Sequence, residues 1–538
     1  MGTFQNPRID SVKIETQYIL SVKCLEISKT CCSVDVSRFQ PDKIGLVIRS
    51  IDKSCGGIWK MRTWNLISDP DNVNAYYNET KLFRKLWCPN RPRSLLVFIN
   101  PYGGKQNAEV IYYSCVRSIF DLAGIRTKVI LTKRKNHCQE YILNEDLSSY
   151  DGVVSVGGDG LFSELLQGLL YRTRKEAKLP LYENHKAFTT ELSPRLKIGL
   201  IPAGSTNAVI RSLHGTEDIE TAAIHIALGL DIGVDVLGVH DSSTKGFLRY
   251  IVTLLGYGFH GDLLDPSERM RFLGPPRYDI AGAWRWLRLS SYRVRIAYLP
   301  STDSTPTDSN TCGAMCPICL KQDIECGEAG DNALVVNRTH QPPANLVKSP
   351  RLSDPPLSDP CGEPGEVATS MMNEELLIEL NGTRDIVRNA EHEDIELPGE
   401  WRTASGEFVA VNAFLISCRC AKSPLGPAPS AHLGDGYLDL ILVRRCSRWQ
   451  YLSYLVQLTN RRKDRSTRHL KMPFVEAHRV KAFRLQALDN HGDPINNEEI
   501  LTQKVSVWNV DGEILRIPNV ICCVHRQLIR LYGRGPEI

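Results

Sequence analysis

VVSVGGDGLFSELLQGLL (residues 153–170) changes its hydrophobic period halfway along. Val153, Val154 and Val156 form a continuous apolar run of the kind buried on both faces of a parallel sheet. Gly157, Gly158, Asp159 and Gly160 make a turn, after which Leu161, Leu165, Leu166 and Leu169 draw the stripe of a helix. Three glycines let a ligand approach the backbone, and the free amides of the helix start suit phosphate oxygens. Asp159 then stands at the carboxyl edge of the sheet, where open α/β folds bind ligands. For a GGDG met alone, a tight structural turn is the alternative.

Further runs of the same character lie on either side. SLLVFIN (94–100), TKVILT (127–132) and KIGLIPAG (197–204) alternate with helical stretches, which predicts a parallel α/β lobe over 93–241. NPYGGK (100–105) leaves the first strand and PAGSTN (202–207) the fourth, so three strand ends present small residues and backbone donors to one place. Neither turn fits the G-x-x-x-x-G-K-[ST] phosphate loop, and GGDG does not follow the first strand as a dinucleotide fingerprint would. Residues 172–196 are longer than a simple crossover and read as a surface insertion.

Beyond about 240 the period returns to two: Tyr292, Val294, Ile296 and Tyr298 share one face while Arg293 and Arg295 take the other. GEFVAVNAF, GYLDLILV, VKAFRLQAL and KVSVWNVDG repeat the pattern, predicting an antiparallel β-sandwich lobe over 242–538. Its interruption at about 340–400 is rich in prolines, serines and acids, too poor in apolar surface to offset ordering, and is expected to be a disordered insertion. Short alternating runs before 92, with Leu82, Phe83, Leu86 and Trp87 at helical spacing, suggest a small β module closed by a helix.

Composition narrows the function classes. Lys+Arg 65 against Asp+Glu 61 leaves a net charge of +4, too little for a chain held to nucleic acid by phosphate neutralisation. No apolar run nears the roughly 18 to 20 residues that span a bilayer, and the start lacks a signal pattern, so a cytoplasmic chain is expected. Seventeen scattered cysteines read as reduced thiols.

NPYGGK, Thr132, GGDG, PAGSTN, LGDGYLDL (433–440) and VDGE (510–513) occur in the order found in the diacylglycerol kinase catalytic superfamily. Within it the chain most resembles the ceramide kinases, by LLVFINPYGGK, YDGVVSVGGDGLFSE, LRYIVTLLGYGFHGD, SPLGPAPSAHLGDG, CSRW and a triple-cysteine motif. The resemblance implies a nucleotide-binding α/β lobe and a β-sandwich lobe of the diacylglycerol-kinase and NAD-kinase type, preceded over 1–92 by a pleckstrin-homology-like module that meets phosphoinositide-bearing membranes. It implies transfer of the γ-phosphoryl of Mg²⁺-ATP to the primary hydroxyl of ceramide, with Asp159 as general base, by an enzyme peripheral on Golgi and plasma membranes. Sphingosine or diacylglycerol kinase activity is the alternative, as is a silent lipid-binding adaptor. Nucleotide contacts are implied at Asn100, Pro101, Tyr102, Thr132, Lys133, Arg134, Lys135, Asn136, Glu164, Gly204, Ser205, Thr206, Arg271, Arg277, Asp511, Gly512 and Glu513. Lipid contacts are implied at Gly157, Gly158, Asp159, Gly160 and Asp262, with Gly157 and Gly158 also bordering the nucleotide.

Several of these residues admit plainer readings. Glu164 suits a solvated helix acid, Arg271 and Arg277 suit a surface, and Asp511-Gly512 suits a hairpin turn. Where sphingosine kinases carry an acid, two positions beyond the match to Asp262, this chain has Leu264, which suits a neutral amide better than an amine. Cys312, Cys316 and Cys319, with Cys326, Cys418 or Cys420 as a fourth, suit either a structural zinc or a plain reduced loop. Leu442, Trp449 and Leu455 stand at 1-8-14 spacing in a basic stretch (443–463), which suits calmodulin or a helix packed on the sandwich.

Overall fold

The computed structural model describes residues 18–27, 43–53, 57–68, 90–179, 191–270, 276–301, 311–321, 399–459, 467–495, 503 and 505–537. The helix expected around Leu82–Trp87 and the insertion up to residue 398 lie outside them.

Alternation near the N-terminus builds three antiparallel strands, β1 (Ile19–Ile27), β2 (Lys43–Lys53) and β3 (Trp59–Ser68), paired in sequence order. This sheet docks on the helix Ile219–Leu228. The Trp59 amide donates to Thr221 Oγ1 at 2.9 Å, the Met61 amide to Glu220 Oε1 at 2.8 Å, and the Trp59 indole meets His225 edge-on at 4.4 Å. Leu20, Ile51 and Trp59 thereby share one apolar core with the α/β lobe.

That lobe holds β4 (Ser94–Ile99), β5 (Arg126–Leu131), β6 (Gly152–Gly157) and β7 (Lys197–Pro202), all parallel, in the order β5-β4-β6-β7. Leu95, Val97 and Ile99 face a layer containing the segment Arg117–Leu122 and the helix Ile219–Leu228. Leu96 and Phe98 face the opposite layer, with the helices His137–Asn144 and Asp159–Glu176. β4, β6 and β7 are buried on both faces and need no polar alternation, whereas β5, expected to be like them, is the sheet edge and is exposed or half-buried along its length. The connection leaving β4 runs to one layer and that leaving β6 to the other, so a crevice opens between their carboxyl ends, the switch point of an open α/β sheet. The expected insertion after 172 starts later: the helix runs on to Glu176, and a buried Arg174–Glu191 ion pair at 2.9 Å ties the two sides of the excursion together.

β8 (Asp231–Asp241), β9 (Phe247–Ile251) and β10 (Leu254–Gly258) lead into the antiparallel part, with β11 (Tyr292–Pro300), β12 (Arg402–Phe414), β13 (Leu438–Arg444) and β14 (Val475–Ala487). Tyr292, Val294, Ile296 and Tyr298 are buried and Arg293 and Arg295 exposed, as the alternation predicts. β12 pairs with β11 through Phe408 and with β13 and β10 beyond it, so one long strand serves both halves of the packing. β15 (Trp508–Val510) and β16 (Glu513–Leu515) form a hairpin on β10. The last strand, β17 (Val520–Tyr532), pairs antiparallel with β14 and β8 and meets β7 in parallel at Leu531↔Ile198, making one mixed 14-stranded sheet of both lobes.

The basic stretch 443–463 divides in two. Leu442 is buried in β13, whereas Trp449 and Leu455 belong to the helix Arg448–Leu458, started by a Ser447–Gln450 capping box and held to the sandwich by buried Tyr451 and Tyr454. The three calmodulin anchors therefore do not lie on one helix.

Arg479 is buried between Asp435 and Asp439, with the second contact at 3.2 Å, and Asp439 is pushed up to about 6 by its burial despite the arginine. Arg479→Leu leaves two buried carboxylates without a cation. We expect a loss of about 3–5 kcal/mol in unfolding free energy, measured by denaturant titration. A loss within experimental error would show that the carboxylates find other partners.

Candidate active site at the switch point

Three glycine turns meet above the crevice. A Cβ on Gly158 would lie 2.9 Å from the Gly204 Cα, one on Gly204 would lie 2.4 Å from the Gly158 Cα, and one on Gly104 would lie 2.3 Å from the Ala203 carbonyl oxygen. Backbone packs on backbone here, so a side chain at Gly104, Gly158 or Gly204 is sterically excluded. The Asn100 amide donates to the Val156 carbonyl across the switch point at 3.1 Å, and its Oδ1 receives the Tyr102 amide at 3.0 Å. Asn207 folds back on Gly204, accepting its amide at 3.0 Å. Ser205, Thr206 and Tyr102 are exposed at the rim, and Thr132 is buried beside Ile99.

Asp159 begins the helix after β6, and its carboxylate caps the neighbouring helix Ala208–His214. The amides of Ala208 and Val209 donate to its two oxygens at 3.0 and 3.1 Å. A carboxylate offers about four acceptor sites, so these two bonds do not saturate it. Burial raises its pKa above the ordinary range, against the pull of both amides, and the nearby charge of Asp511 adds to the rise.

Asp511 and Gly512 form the β15–β16 hairpin turn, both with positive φ (48° and 89°). The Asp511 carboxylate accepts the amides of Val252, Thr253 and Leu254 at 3.1–3.2 Å, and burial raises its pKa. Asp511 makes the hairpin turn that the sequence allowed, and its charge acts on Asp159. Glu513 binds Arg249, and its other oxygen lies 3.3 Å from Lys135 Nζ. Burial is outweighed there, so the two cations hold Glu513 below the usual carboxylate range. Arg249 also donates to Ser163 Oγ at 2.9 Å, so the hairpin, β9, the loop after β5 and the helix Asp159–Glu176 join in one network.

Glu164 accepts the Cys138 amide at 3.3 Å at the start of the helix His137–Asn144, where Asn136 takes a left-handed backbone, and burial raises its pKa. It is a cap, not a solvated acid. Lys133 reaches His137 through its amide, and Arg134 forks onto Glu140 on the surface. Asp262 is held by Arg285, Tyr292 and Ser506, the last at 2.6 Å. Arg277 opens the helix Arg277–Leu287; Arg271 lies outside the described residues. Arg249 and Ser163 escaped the sequence reading because neither sits in a glycine turn.

Residues 94–239 match the diacylglycerol kinase catalytic domain and residues 366–537 the ceramide kinase C-terminal domain. The chain is 36% identical over 466 residues to ceramide kinase of Homo sapiens, spanning 83% of this chain and 75% of that protein. This chain belongs to the ceramide kinase family. The family member of Arabidopsis thaliana is 29% identical over 527 residues, covering 83% of this chain and 74% of its own. A solved diacylglycerol kinase from Bacillus anthracis str. Sterne superposes with a TM-score of 0.44 at 14% identity, over 82% of this chain and 97% of that one. As a member of a lipid-kinase family, the protein uses ATP.

Asp159→Asn keeps the volume but replaces one amide-accepting oxygen with a donor. Turnover should fall by about 10² to 10⁴-fold, while unfolding free energy falls by only about 1 kcal/mol. A variant with wild-type kcat would remove Asp159 from the chemistry. Because a base must be ionised, wild-type activity should be lost as pH falls through a pKa above the 3.8 of an ordinary aspartate, read from the acid limb of kcat/KM.

Proposed function

We propose that the protein transfers the γ-phosphoryl group of ATP to the primary hydroxyl of ceramide, giving ceramide 1-phosphate. The observation that carries this reading is the contact of three glycine turns over Asp159 at the switch point. The polyphosphate would rest on the amides of residues 103–104, 157–158 and 205–206, with Lys135 beside it as a cation. Asp159 would accept the hydroxyl proton through a lone pair its capped helix leaves free. Positioning and charge neutralisation dominate phosphoryl transfer, so one base and a rigid cradle suffice from the protein. The carboxylates of Glu513, Asp511 and Glu164 supply the hard oxygen donors suited to Mg²⁺, which would neutralise phosphate charge.

The surroundings of Asp262 favour a neutral lipid. Its carboxylate is already shared by Arg285, Tyr292 and Ser506, Leu264 is buried, and Asp265 pairs with Arg269 at 2.9 Å and Arg516 at 3.1 Å. Asp262 and Asp265 thus already have cationic partners, which disfavours sphingosine's amine.

The lipid must be reached at a membrane. No helix among the described residues is long and apolar enough to cross one. Ile280, Trp284 and Leu287 recur at four- and three-residue spacing on the exposed face of the helix Arg277–Leu287. Beside them, Trp449, 72% exposed, meets Trp286 edge-on at 5.5 Å, and the Arg288 guanidinium stacks over Trp284 at 4.5 Å. Tryptophans flanked by arginines suit a bilayer interface. In this reading residues 1–92 add contact with phosphoinositide-bearing Golgi and plasma membranes as a targeting domain, 93–241 carry the catalytic chemistry and 242–538 the lipid side. Ca²⁺/calmodulin contact through 443–463 would rest on the exposed Trp449 and the basic ends.

Purified protein with labelled ATP should convert ceramide in mixed micelles faster than sphingosine or diacylglycerol; the reverse order rejects the substrate assignment and leaves the kinase intact. Trp284→Ala with Trp449→Ala should lower activity on ceramide in anionic vesicles well below that on short-chain ceramide in detergent. Equal effects on the two would refute the membrane face.

A further inference from the structure

Three thiols and an imidazole converge far from the glycine turns in sequence. Cys312, Cys316, Cys319 and His432 are all buried, and their ligand atoms lie within 4.8 Å of one another. Cys312 Sγ is 3.7 Å from Cys319 Sγ, and His432 Nδ1 is 3.4 Å from Cys316 Sγ and 3.9 Å from Cys319 Sγ. A tetrahedral zinc with Zn–S near 2.3 Å and Zn–N near 2.05 Å sets its ligand edges at about 3.8 Å for S···S and about 3.5 Å for S···N. The Cys312–Cys319 and Cys316–His432 edges match those separations, and the Cys319–His432 edge, at 3.9 Å, is slightly longer. A disulfide would bring two sulphurs to about 2.05 Å, and all three cysteines are free.

We propose that Cys312, Cys316, Cys319 and His432 form a structural Zn²⁺ site. Three soft thiolates and one imidazole are the donor set of closed zinc sites, and four protein ligands leave no position for a substrate. The fourth ligand is a histidine 113 residues beyond Cys319, not one of the cysteines the spacing brought into consideration.

The support around the ligands fits this role. Met315 takes a left-handed backbone (φ 54°), which folds the loop so that Cys312 reaches Cys319. Gln527 donates its side-chain amide to the carbonyls of Cys319 at 2.8 Å and Gly434 at 2.9 Å, tying the cysteine loop to the loop that carries His432. The Met315 amide donates to the Arg534 carbonyl at 2.6 Å, and Arg526 reaches the Lys321 carbonyl at 2.7 Å. Within 311–321 the regular structure is one four-residue helix, Pro317–Leu320. A metal crosslink would fix what no strand pairing holds, and its binding free energy would count as folding free energy.

Protein purified in reducing buffer without chelator should carry one zinc per chain by inductively coupled plasma mass spectrometry. Cys316→Ser and His432→Ala should lose it, whereas Cys418→Ser and Cys420→Ser should retain it. Should the first two fail to fold, His432→Cys, which preserves four soft ligands, should fold and hold zinc, and a zinc chelator should lower the Tm of the native protein. Folded, reduced native protein lacking stoichiometric zinc would overturn the proposal. So would a Cys312–Cys319 disulfide found by non-reducing mass spectrometry, or zinc retained by His432→Ala.

Discussion

The pairing of β17 is the constraint on which the rest depends. Its first half lies against β14, its length runs along β8, and at Leu531↔Ile198 it meets the last parallel strand. An unpaired edge on β7 would leave a row of backbone donors and acceptors facing water or another chain. Closing that edge with the C-terminal strand turns two sheets into one. The crevice between the carboxyl ends of β4 and β6 thereby keeps a fixed relation to the β15–β16 hairpin, which approaches from the antiparallel side. The register of β17 breaks between His525 and Ile529, and Gln527 adopts φ 47° there. That break aims the Gln527 amide at Asp235 at 2.7 Å and its side chain at the cysteine loop.

Within the crevice each acidic group is committed twice. Asp159 caps a helix and faces Asp511; Asp511 makes a turn, binds three amides and faces Asp159. Like charges held this way by backbone dipoles cannot relax apart, so the price of their proximity is met by rigid hydrogen bonds. The same commitment gives Asp159 a fixed orientation, which the general-base role proposed for it would need more than an extreme pKa. Glu513 instead turns outward to two cations, giving the site acids of unlike proton affinity within one hairpin.

The parallel strands and glycine turns were legible because their signals are local: continuous apolarity over Ser94–Ile99 or Gly152–Gly157, and residues without side chains where backbones touch. The alternation over Tyr292–Pro300 was legible for the same reason. Long-range partners left no such trace. Nothing in Arg249 announces that it will reach Ser163 and Glu513, 86 and 264 residues away. His432 follows Ala428 and Ala431 in a loop and looks like any histidine until the cysteines close over it. The return of β17 to the parallel lobe is equally silent, since Val520–Tyr532 reads only as one more apolar strand. Glu164 suits a nucleotide contact or a solvated helix acid on sequence because helical spacing gives the face and not the neighbour; the neighbour is the start of another helix.

The N-terminal sheet is seated on the helix Ile219–Leu228 through Trp59, with Lys60 reaching Asp218 at 2.9 Å. A domain on a slack tether samples every orientation, and its attachment to a surface tells the enzyme only that it is nearby. A sheet whose tryptophan is part of the catalytic core's own packing acts as a bracket instead. In the proposed reading, where this sheet meets a membrane, it would set the tilt at which the crevice approaches the lipid, an angle decided when the protein folds.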